Sequence, residues 1–580
     1  MSVPGMRRRA AVGLAALAAT AFTAVAVHPD QASARPKPLD VKLLAINDFH
    51  GNLEPPTGSS GTIDGKTAGG AEYLATQLNM LRGTTEEERE HTVTVAAGDL
   101  IGASPLLSAA FHDEPTIEEM NLAGLEFTSV GNHEFDEGAT ELLRMQNGGC
   151  HPVDGCGDGT PFAGADFQYL SANAFKTATG QPLLPPYGIK KIDGVKIGFI
   201  GMTLEGTPQI VSQQGVAGLS FADEADTANK YARILQAQGV QSIVVLLHEG
   251  GVQNGGGIND CTGFSGPIVD IANRMDPAID VIVSGHTHAA YNCNINGKLV
   301  TSASSFGRLV TDIDLKIDRR SKDIVSASAN NVVVTRDVPK DPATTELITH
   351  YKTALGPVAD KVVGETTSVL TKTQENLYQT GVDANGKPTY QTGESPLGNV
   401  IADAQLAATD NEQNAVAAFM NPGGVRADLD AGPVTYAEAF TVQPFANNLV
   451  TLDLTGAQLY CLLEQQFTAA KVLYASSTVH YVVDVNGTTA PVASPCTGTR
   501  VVRGSLTING TPVTDAATYR VTVNNFLSGG GDGFSVLTGG TNAVTGMIDL
   551  DAFTAYLTEK SPVSAPALDR IQTTAEVPAA

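Results

Sequence analysis

Val41-Lys42-Leu43-Leu44-Ala45-Ile46-Asn47-Asp48-Phe49-His50 is the stretch on which the reading of this chain turns. A short, mostly apolar run ends abruptly in amide, carboxylate and imidazole. In extended chain Asp48 and His50 would fall on one side, because side chains alternate with period two. The same pattern recurs further along. Thr92–Ala97 is followed by Gly98-Asp99, and Phe127–Val130 by Gly131-Asn132-His133-Glu134 with Asp136 close behind. Ser242–Leu247 leads into His248-Glu249, and Asp280–Val283 into Ser284-Gly285-His286-Thr287-His288. Nearly continuous hydrophobicity marks strands covered on both faces, as in a layered α/β domain. Val195–Ile200 reads as a further strand, and Gly70–Leu81 and Ala225–Gln238 read as helices, the latter with Ala228, Tyr231, Ala232 and Leu235 at helical spacing. In such domains the carboxyl ends of the strands line the ligand crevice, so the Asp, Asn and His residues should converge there.

Of the 11 histidines, five sit in these positions: His50, His133, His248, His286 and His288. Any one alone is more often a hydrogen-bonded surface or core residue than a ligand. Gathering them all by accident would bury several polar groups at a cost that only coordinated ions offset. Carboxylate, imidazole and amide oxygen without thiolate suit zinc, manganese, iron or cobalt. Asp48, His50, Asp99, Asn132, His248, His286 and His288 exceed what one ion takes, so two divalent ions sharing a carboxylate is the economical reading.

The chain has 580 residues, 36 Lys+Arg against 61 Asp+Glu, and a formal charge of −25. Its length calls for more than one domain. Its acidity provides no footprint for nucleic acid or anionic lipid, whose binders release counterions against Lys and Arg. An anionic substrate would need local positive charge, which two cations provide.

Arg7-Arg8-Arg9, an Ala/Val/Leu-rich run over Ala10–Val27 and Ala32-Ser33-Ala34 form a secretory leader, with cleavage expected after Ala34 through the general or the twin-arginine route. Losing three Arg and one Asp leaves 33 basic against 60 acidic residues, a charge of −27. No later apolar run reaches the roughly 18–20 residues of a membrane span. A protein secreted to the outside, without stable membrane insertion, and monomeric or weakly dimeric, is expected. That compartment permits disulfides, and proximity along the chain favours Cys150 with Cys156, Cys261 with Cys293 and Cys461 with Cys496.

The first domain is expected over 35–335. A linker helix follows within 336–360, where Asp341-Pro342 caps, Leu347, Tyr351 and Leu355 recur at helical spacing, and Gly356-Pro357 stops the run. A second α/β domain occupies 361–565, with a helix at Leu397–Ala408 and strands at Leu449–Leu454, Val501–Ile508 and Tyr519–Val523. A loose tail is expected over 566–580.

Leu44–Asn52, Ala97-Gly98-Asp99, Gly131–Asp136 and Gly285–His288 together resemble the calcineurin-like metallophosphoesterases, more narrowly the secreted 5′-nucleotidase and UDP-sugar hydrolase family. Asn421–Arg426, Gln443-Pro444-Phe445 and Asn525–Phe534 resemble that family's nucleotide-binding segments. The resemblance covers nearly all of the chain beyond the leader. It implies an N-terminal αββα metallophosphoesterase domain joined by the linker helix to a C-terminal α/β nucleotide-binding domain. It also implies one metal on Asp48, His50, Asp99 and His288, another on Asp99, Asn132, His248 and His286, and a dyad of His133 with Asp136. The nucleobase would stack between Phe445 and Phe526, Asn421 and Arg426 would reach the nucleoside and phosphate, and Asp532 the ribose hydroxyls.

The activity so implied is hydrolysis of nucleotide phosphate esters, 5′-mononucleotides first, by a hydroxide generated at the metals. A 2′,3′-cyclic phosphodiesterase or UDP-sugar hydrolase on the same site is the alternative, and a catalytically silent nucleotide- or metal-binding protein the alternative of another class. A nuclease is disfavoured by charge. Two features depart from the family pattern. Thr389–Pro396 contains no Arg or Lys where relatives carry a phosphate-clamping arginine, and a glycine-rich loop, Gln253–Asn259, follows His248.

Overall fold

In a computed structural model, the strand Leu39–Ile46 lies near the middle of a six-stranded sheet. The model describes residues 37–574 apart from 57, 212–214, 357–358, 374–378, 383–387, 391–392 and 446, so the expected leader falls outside the described residues. Leu39–Ile46 pairs in parallel with Thr92–Ala97, which pairs in parallel with Phe127–Ser129, and on its other side antiparallel with Leu309–Ile317. A second six-stranded sheet has Ser242–His248 near its middle, parallel to Val195–Thr203 and Val281–Ser284. The apolar side chains of Val41, Leu43, Val93, Val95, Val244, Leu246, Val281 and Val283 meet in one buried cluster between the sheets. Strand after strand is apolar on both faces because each sheet has the other sheet on one side and helices on the other.

The helices Ala71–Leu81 and Glu114–Leu122 cover the first sheet, and Glu224–Ala237 and Pro267–Arg274 the second, giving the four αββα layers. Glu224–Ala237 buries Ala228, Tyr231, Ala232 and Leu235, the stripe its sequence shows. The three cysteine pairs are joined as neighbours along the chain: Cys150–Cys156, Cys261–Cys293 and Cys461–Cys496.

The helix between the halves runs Pro342–Leu355, capped by Asp341, whose carboxylate accepts from Ala343 N and Thr344 N. It does not stand free. Ile348 and Tyr351 enter the first domain's core, Thr344 Oγ1 donates to Glu119 at 3.2 Å and Tyr351 OH to Glu118 at 3.1 Å. Burial and nearby carboxylates hold Glu119 well above the usual carboxylate range.

The second half is built on a five-stranded sheet that includes Ala417–Met420, Asn448–Thr455 and Thr518–Asn524, with the helix Gly456–Thr468 packed against it. The helix near 397 runs Pro396–Ala407. Two expectations need correction. The run 501–508 is a strand only at Thr507–Ile508, because Gly504 takes a left-handed φ of 86° and turns the chain. Residues 566–574 are no loose tail: Ile571–Thr573 adds a parallel strand beside Tyr481–Val483. Arg570 is buried next to it, paired with Asp403 at 2.7 Å and donating to Asn399 O, which fastens the segment.

Both halves belong to one compact unit beginning at Pro38. Leu106, from the short helix Leu106–Ala109 that follows the Gly98-Asp99 loop, is buried in the core of the second half beside Phe440 and Val442.

Candidate active site

All seven candidate ligands lie at the carboxyl ends of those strands, His248 as the last strand residue and the others in the loops that follow, and backbone conformation gathers them. Asp48, His50, Asp99, His286 and His288 have φ of 50°, 48°, 48°, 70° and 54°. Left-handed backbone is uncommon outside glycine, and its concentration in five functional candidates marks strain stored at a site. It also corrects one expectation. Asp48 and His50 converge through successive left-handed turns, locked by Asp48 N donating to Gly98 O and His50 N to Asp99 O, rather than through strand alternation. Gly98 is required here: a Cβ on it would lie 2.6 Å from Gly131 N.

Two groups of ligand atoms result. Asp48, His50 and His288 form one, and Asp99, His248 and His286 the other, the atoms of each lying within 4.8 Å of one another. Asp99 Oδ2 joins them, at 3.0 Å from His248 Nε2 and 3.6 Å from His50 Nε2. Asn132 Oδ1 lies 3.0 Å from His286 Nδ1 and so belongs to the second group.

Hydrogen bonding fixes which imidazole nitrogens are free. His50 Nδ1 donates to Gly102 O at 2.9 Å and His248 Nδ1 to Ala97 O at 2.7 Å, which turns each Nε2 inward. There His50 Nε2 meets His288 Nε2 at 3.1 Å. His248 Nε2 is buried, without a hydrogen-bond partner among the described residues, although the Asp99 carboxylate is 3.0 Å away. Either a proton on one partner or a cation between them satisfies these contacts, and a converging set of imidazole, carboxylate and amide oxygen without thiolate fits divalent metal ions.

The electrostatics agree. Burial pushes His50 down to about 3 and, with repulsion from His248, His286 to about 4, so both are neutral donors. Burial also presses His248 down, but Asp99 and Asp48 outweigh it and raise it to about 10, a demand for positive charge that a proton or a metal ion meets. Against its own burial, Asp99 is held well below the usual carboxylate range by His248 and His133.

His133 and Asp136 stand beside this centre, with His133 Nδ1 donating to Asp136 Oδ2 at 2.7 Å. Burial lowers His133, but Asp136 and Asp99 raise it to about 9, so it is an imidazolium at neutral pH. The second half approaches from across the cleft. The ring of Phe445 lies 6.0 Å from that of His133, and the Arg426 guanidinium 5.6 Å from Phe445. A cavity of about 750 Å³ joins the halves and is lined by His133, Asp136, Asn421, Arg426, Phe445, Phe526 and Asp532, which are the dyad and all five candidate substrate residues. Gly531 must be glycine, because a Cβ there would meet the Phe526 ring at 2.6 Å.

Several contributors carry no role in the sequence reading. Glu134 accepts from Asp99 N at 3.0 Å, Leu100 N at 2.8 Å and Gly131 N, bracing two ligand loops at once. Burial, with Asp99 nearby, raises it to about 7. Asn47 Nδ2 donates to Asp48 Oδ2 and Ser304 O, both at 2.6 Å. Both residues lie inside the motifs and were legible there. Lys471, which pairs with Asp532, is 61 residues away along the chain and gave no signal. The loop Gln253–Asn259 is pinned to the hairpin beside it: Gln253 Nε2 donates to Ala290 O at 2.8 Å and Asn259 Oδ1 accepts from Asn292 Nδ2 at 2.6 Å. Within the segment Thr389–Pro396, Glu394 is buried and accepts from Asn399 Nδ2 at 2.8 Å and Ile571 N at 2.9 Å.

Comparison with known proteins agrees with this geometry. Residues 41–290 match the calcineurin-like phosphoesterase model and residues 366–539 the 5′-nucleotidase C-terminal domain model. The chain is 35% identical over 89% of its length to a Bacillus subtilis protein named Endonuclease YhcR, of which it spans 39%. It is 30% identical over 90% of its length to the cell wall protein Lmo0130 of Listeria monocytogenes, of which it spans 67%. The crystal structure of a 5′-nucleotidase precursor from Thermus thermophilus superposes with a TM-score of 0.70 at 26% identity, covering 93% of this chain and 100% of that one.

Proposed function

The chain belongs to the 5′-nucleotidase family of calcineurin-like metallophosphoesterases, metal-dependent hydrolases of phosphoric esters, and from that premise we propose that it cleaves nucleotides, 5′-mononucleotides first, into nucleoside and phosphate. The observation that carries the reading is the single cavity in which the dyad faces two aromatic rings, an asparagine, an arginine and an aspartate from the other half. Asp48, His50, Asp99 and His288 would hold one divalent ion, and Asp99, Asn132, His248 and His286 a second, zinc or manganese in character. Bound there, such ions supply acidified water and positive charge at the phosphoryl oxygens.

The chain's own residues do the rest. Asp136 fixes the His133 ring through Nδ1, so Nε2–H faces the reacting ester, where it stabilises charge and delivers a proton to the departing 5′-oxygen. Arg426 adds a fixed positive charge beside it. Phe445 and Phe526 hold the base by its faces. Asn421, positioned by Asn524 Nδ2 at 2.9 Å, donates to Asp532 Oδ2 at 3.2 Å and so orders the carboxylate that accepts from the ribose hydroxyls.

The lack of Arg and Lys in Thr389–Pro396 favours a second reading on the same site, a cyclic or sugar-linked nucleotide ester. The relative named an endonuclease raises a polymer reading, which the charge of −25 opposes by repelling long polyanions. Chromatographic identification of the products from a mononucleotide, a 2′,3′-cyclic nucleotide, a nucleotide sugar and single-stranded DNA separates these, because only the first yields nucleoside and free phosphate in one step. Preference for the mononucleotide supports the proposal, and turnover of DNA alone would end it. The three disulfides and the cell-wall relative support a place outside the cytoplasm.

A further inference from the structure

The cavity has one wall that the proposed mechanism leaves unused. Besides the substrate residues it is lined by His151 and Val153, from the loop closed by the Cys150–Cys156 disulfide in the first domain. Val153 is 84% exposed, an apolar side chain at the mouth of a ligand cavity. The loop is braced beyond its disulfide. His151 stacks on His112 with ring centroids 3.8 Å apart and planes 14° from parallel. His112 in turn bonds Glu137 at 2.8 Å through Nδ1 and Asp154 at 3.0 Å through Nε2.

Two histidines and two carboxylates invite a metal reading, and the stacking rules it out. Coordinating lone pairs lie in the ring planes, and two parallel rings cannot aim both at one ion. His112, with both nitrogens facing carboxylates, is instead a cation that offsets part of the rim's negative charge. Burial alone would lower it, but Glu137, Glu141 and Asp154 raise it to about 9.

The contacts of His151 occupy one ring nitrogen and leave the other open. The backbone N–H of Asp154 donates to His151 Nδ1 at 3.1 Å, and a backbone amide can only donate. Nδ1 also lies 3.1 Å from Asp154 Oδ2, so Asp154 engages it through both backbone and carboxylate, while Nε2 has no hydrogen-bond partner among the described residues. A braced ring with an unpartnered Nε2, next to an exposed valine, lines the chamber that also holds Phe445, Phe526 and Asp532.

We propose that the loop Cys150–Cys156 is a specificity-determining edge of the substrate cavity, with His151 Nε2 hydrogen-bonding a polar edge atom of the nucleobase and Val153 covering its apolar rim. This rests on the nucleotide reading above. The base is then gripped by both halves, so closure over the nucleoside depends on its identity.

The test measures kcat/KM of the full enzyme for a purine 5′-mononucleotide and for ribose 5-phosphate, which has the same ester but no base. In His151→Ala and Val153→Ser the ratio of the two should fall about fivefold, the equivalent of one neutral hydrogen bond or a small buried apolar contact, mainly through KM. His151→Gln, which keeps a hydrogen-bonding amide near the Nε2 position, should restore most of it. An unchanged ratio in both loss variants, with melting temperatures matching the parent, overturns the proposal. A parent enzyme that hydrolyses both compounds equally well would instead bring down the nucleotide reading itself, and this proposal with it.

Discussion

The ring of Phe445, from the second half, lies over the ring of His133, from the first, with centroids 6.0 Å apart and planes 16° from parallel. The proposed base platform and the proposed proton donor therefore share one contact across the cleft, and binding and chemistry are tied to how the halves meet.

If Phe445 carries the base, Phe445→Ala should weaken nucleotide binding by about 1–3 kcal/mol, the range for base–aromatic stacking. Steady-state kinetics should show this in KM for a mononucleotide, with far less change for ribose 5-phosphate. Equal losses for both would assign the ring to packing.

His133→Ala should lower kcat by about 10²–10⁴ while leaving metal content intact, the usual range for a positioned acid. Asp136→Asn keeps the ring in place but removes the charge that holds His133 protonated, and should cost less. Pre-steady-state phosphate release and metal analysis of the two variants check both statements.

His112 gives a stability prediction away from the metal ligands. Its folded pKa of about 9 lies above the usual 6.5, so its contribution is complete below about pH 6.5 and is lost as pH rises through about 9. His112 is partly open to solvent, so the effect is a modest one. Melting temperatures of the parent and His112→Gln should differ at pH 6 and converge by pH 10. A constant gap across that range would remove the ion pairs with Glu137 and Asp154 as its cause.

The linker helix packs on the first domain, so any swing of the second half must hinge beyond Leu355, where Gly356 has a left-handed φ of 55°. A swing would also withdraw Leu106 from the core of the second half. Cysteines introduced in the helices Leu106–Ala109 and Tyr436–Val442 and then oxidised should stop turnover, and reduction should restore it. Full turnover of the cross-linked form would show that the halves need not part.

Much of this site was legible in the sequence because its signals are local. Apolar runs ending in Asp, Asn or His announce strands and their ligand ends, and Asp48, Asp99, His133, His248 and His286 all followed from that pattern. The cysteine pairs were legible for the same reason, each joining residues close along the chain. What was not legible depends on contacts between distant segments or on backbone torsion. Lys471 meets Asp532 only through the tertiary fold, the left-handed turns at Asp48 and His50 leave no mark in side-chain periodicity, and Ile571–Thr573 looked like a tail because three residues are too few to display alternation.

The most direct test of the central claim is phosphate release from a 5′-mononucleotide before and after chelation, with divalent metals returned one at a time and metal content counted per chain. The account predicts that activity disappears with the metals, returns with zinc, manganese or a similar ion as occupancy approaches two, and that Asp99→Asn, which removes the shared carboxylate, defeats the recovery. Undiminished turnover by the metal-free protein would contradict it.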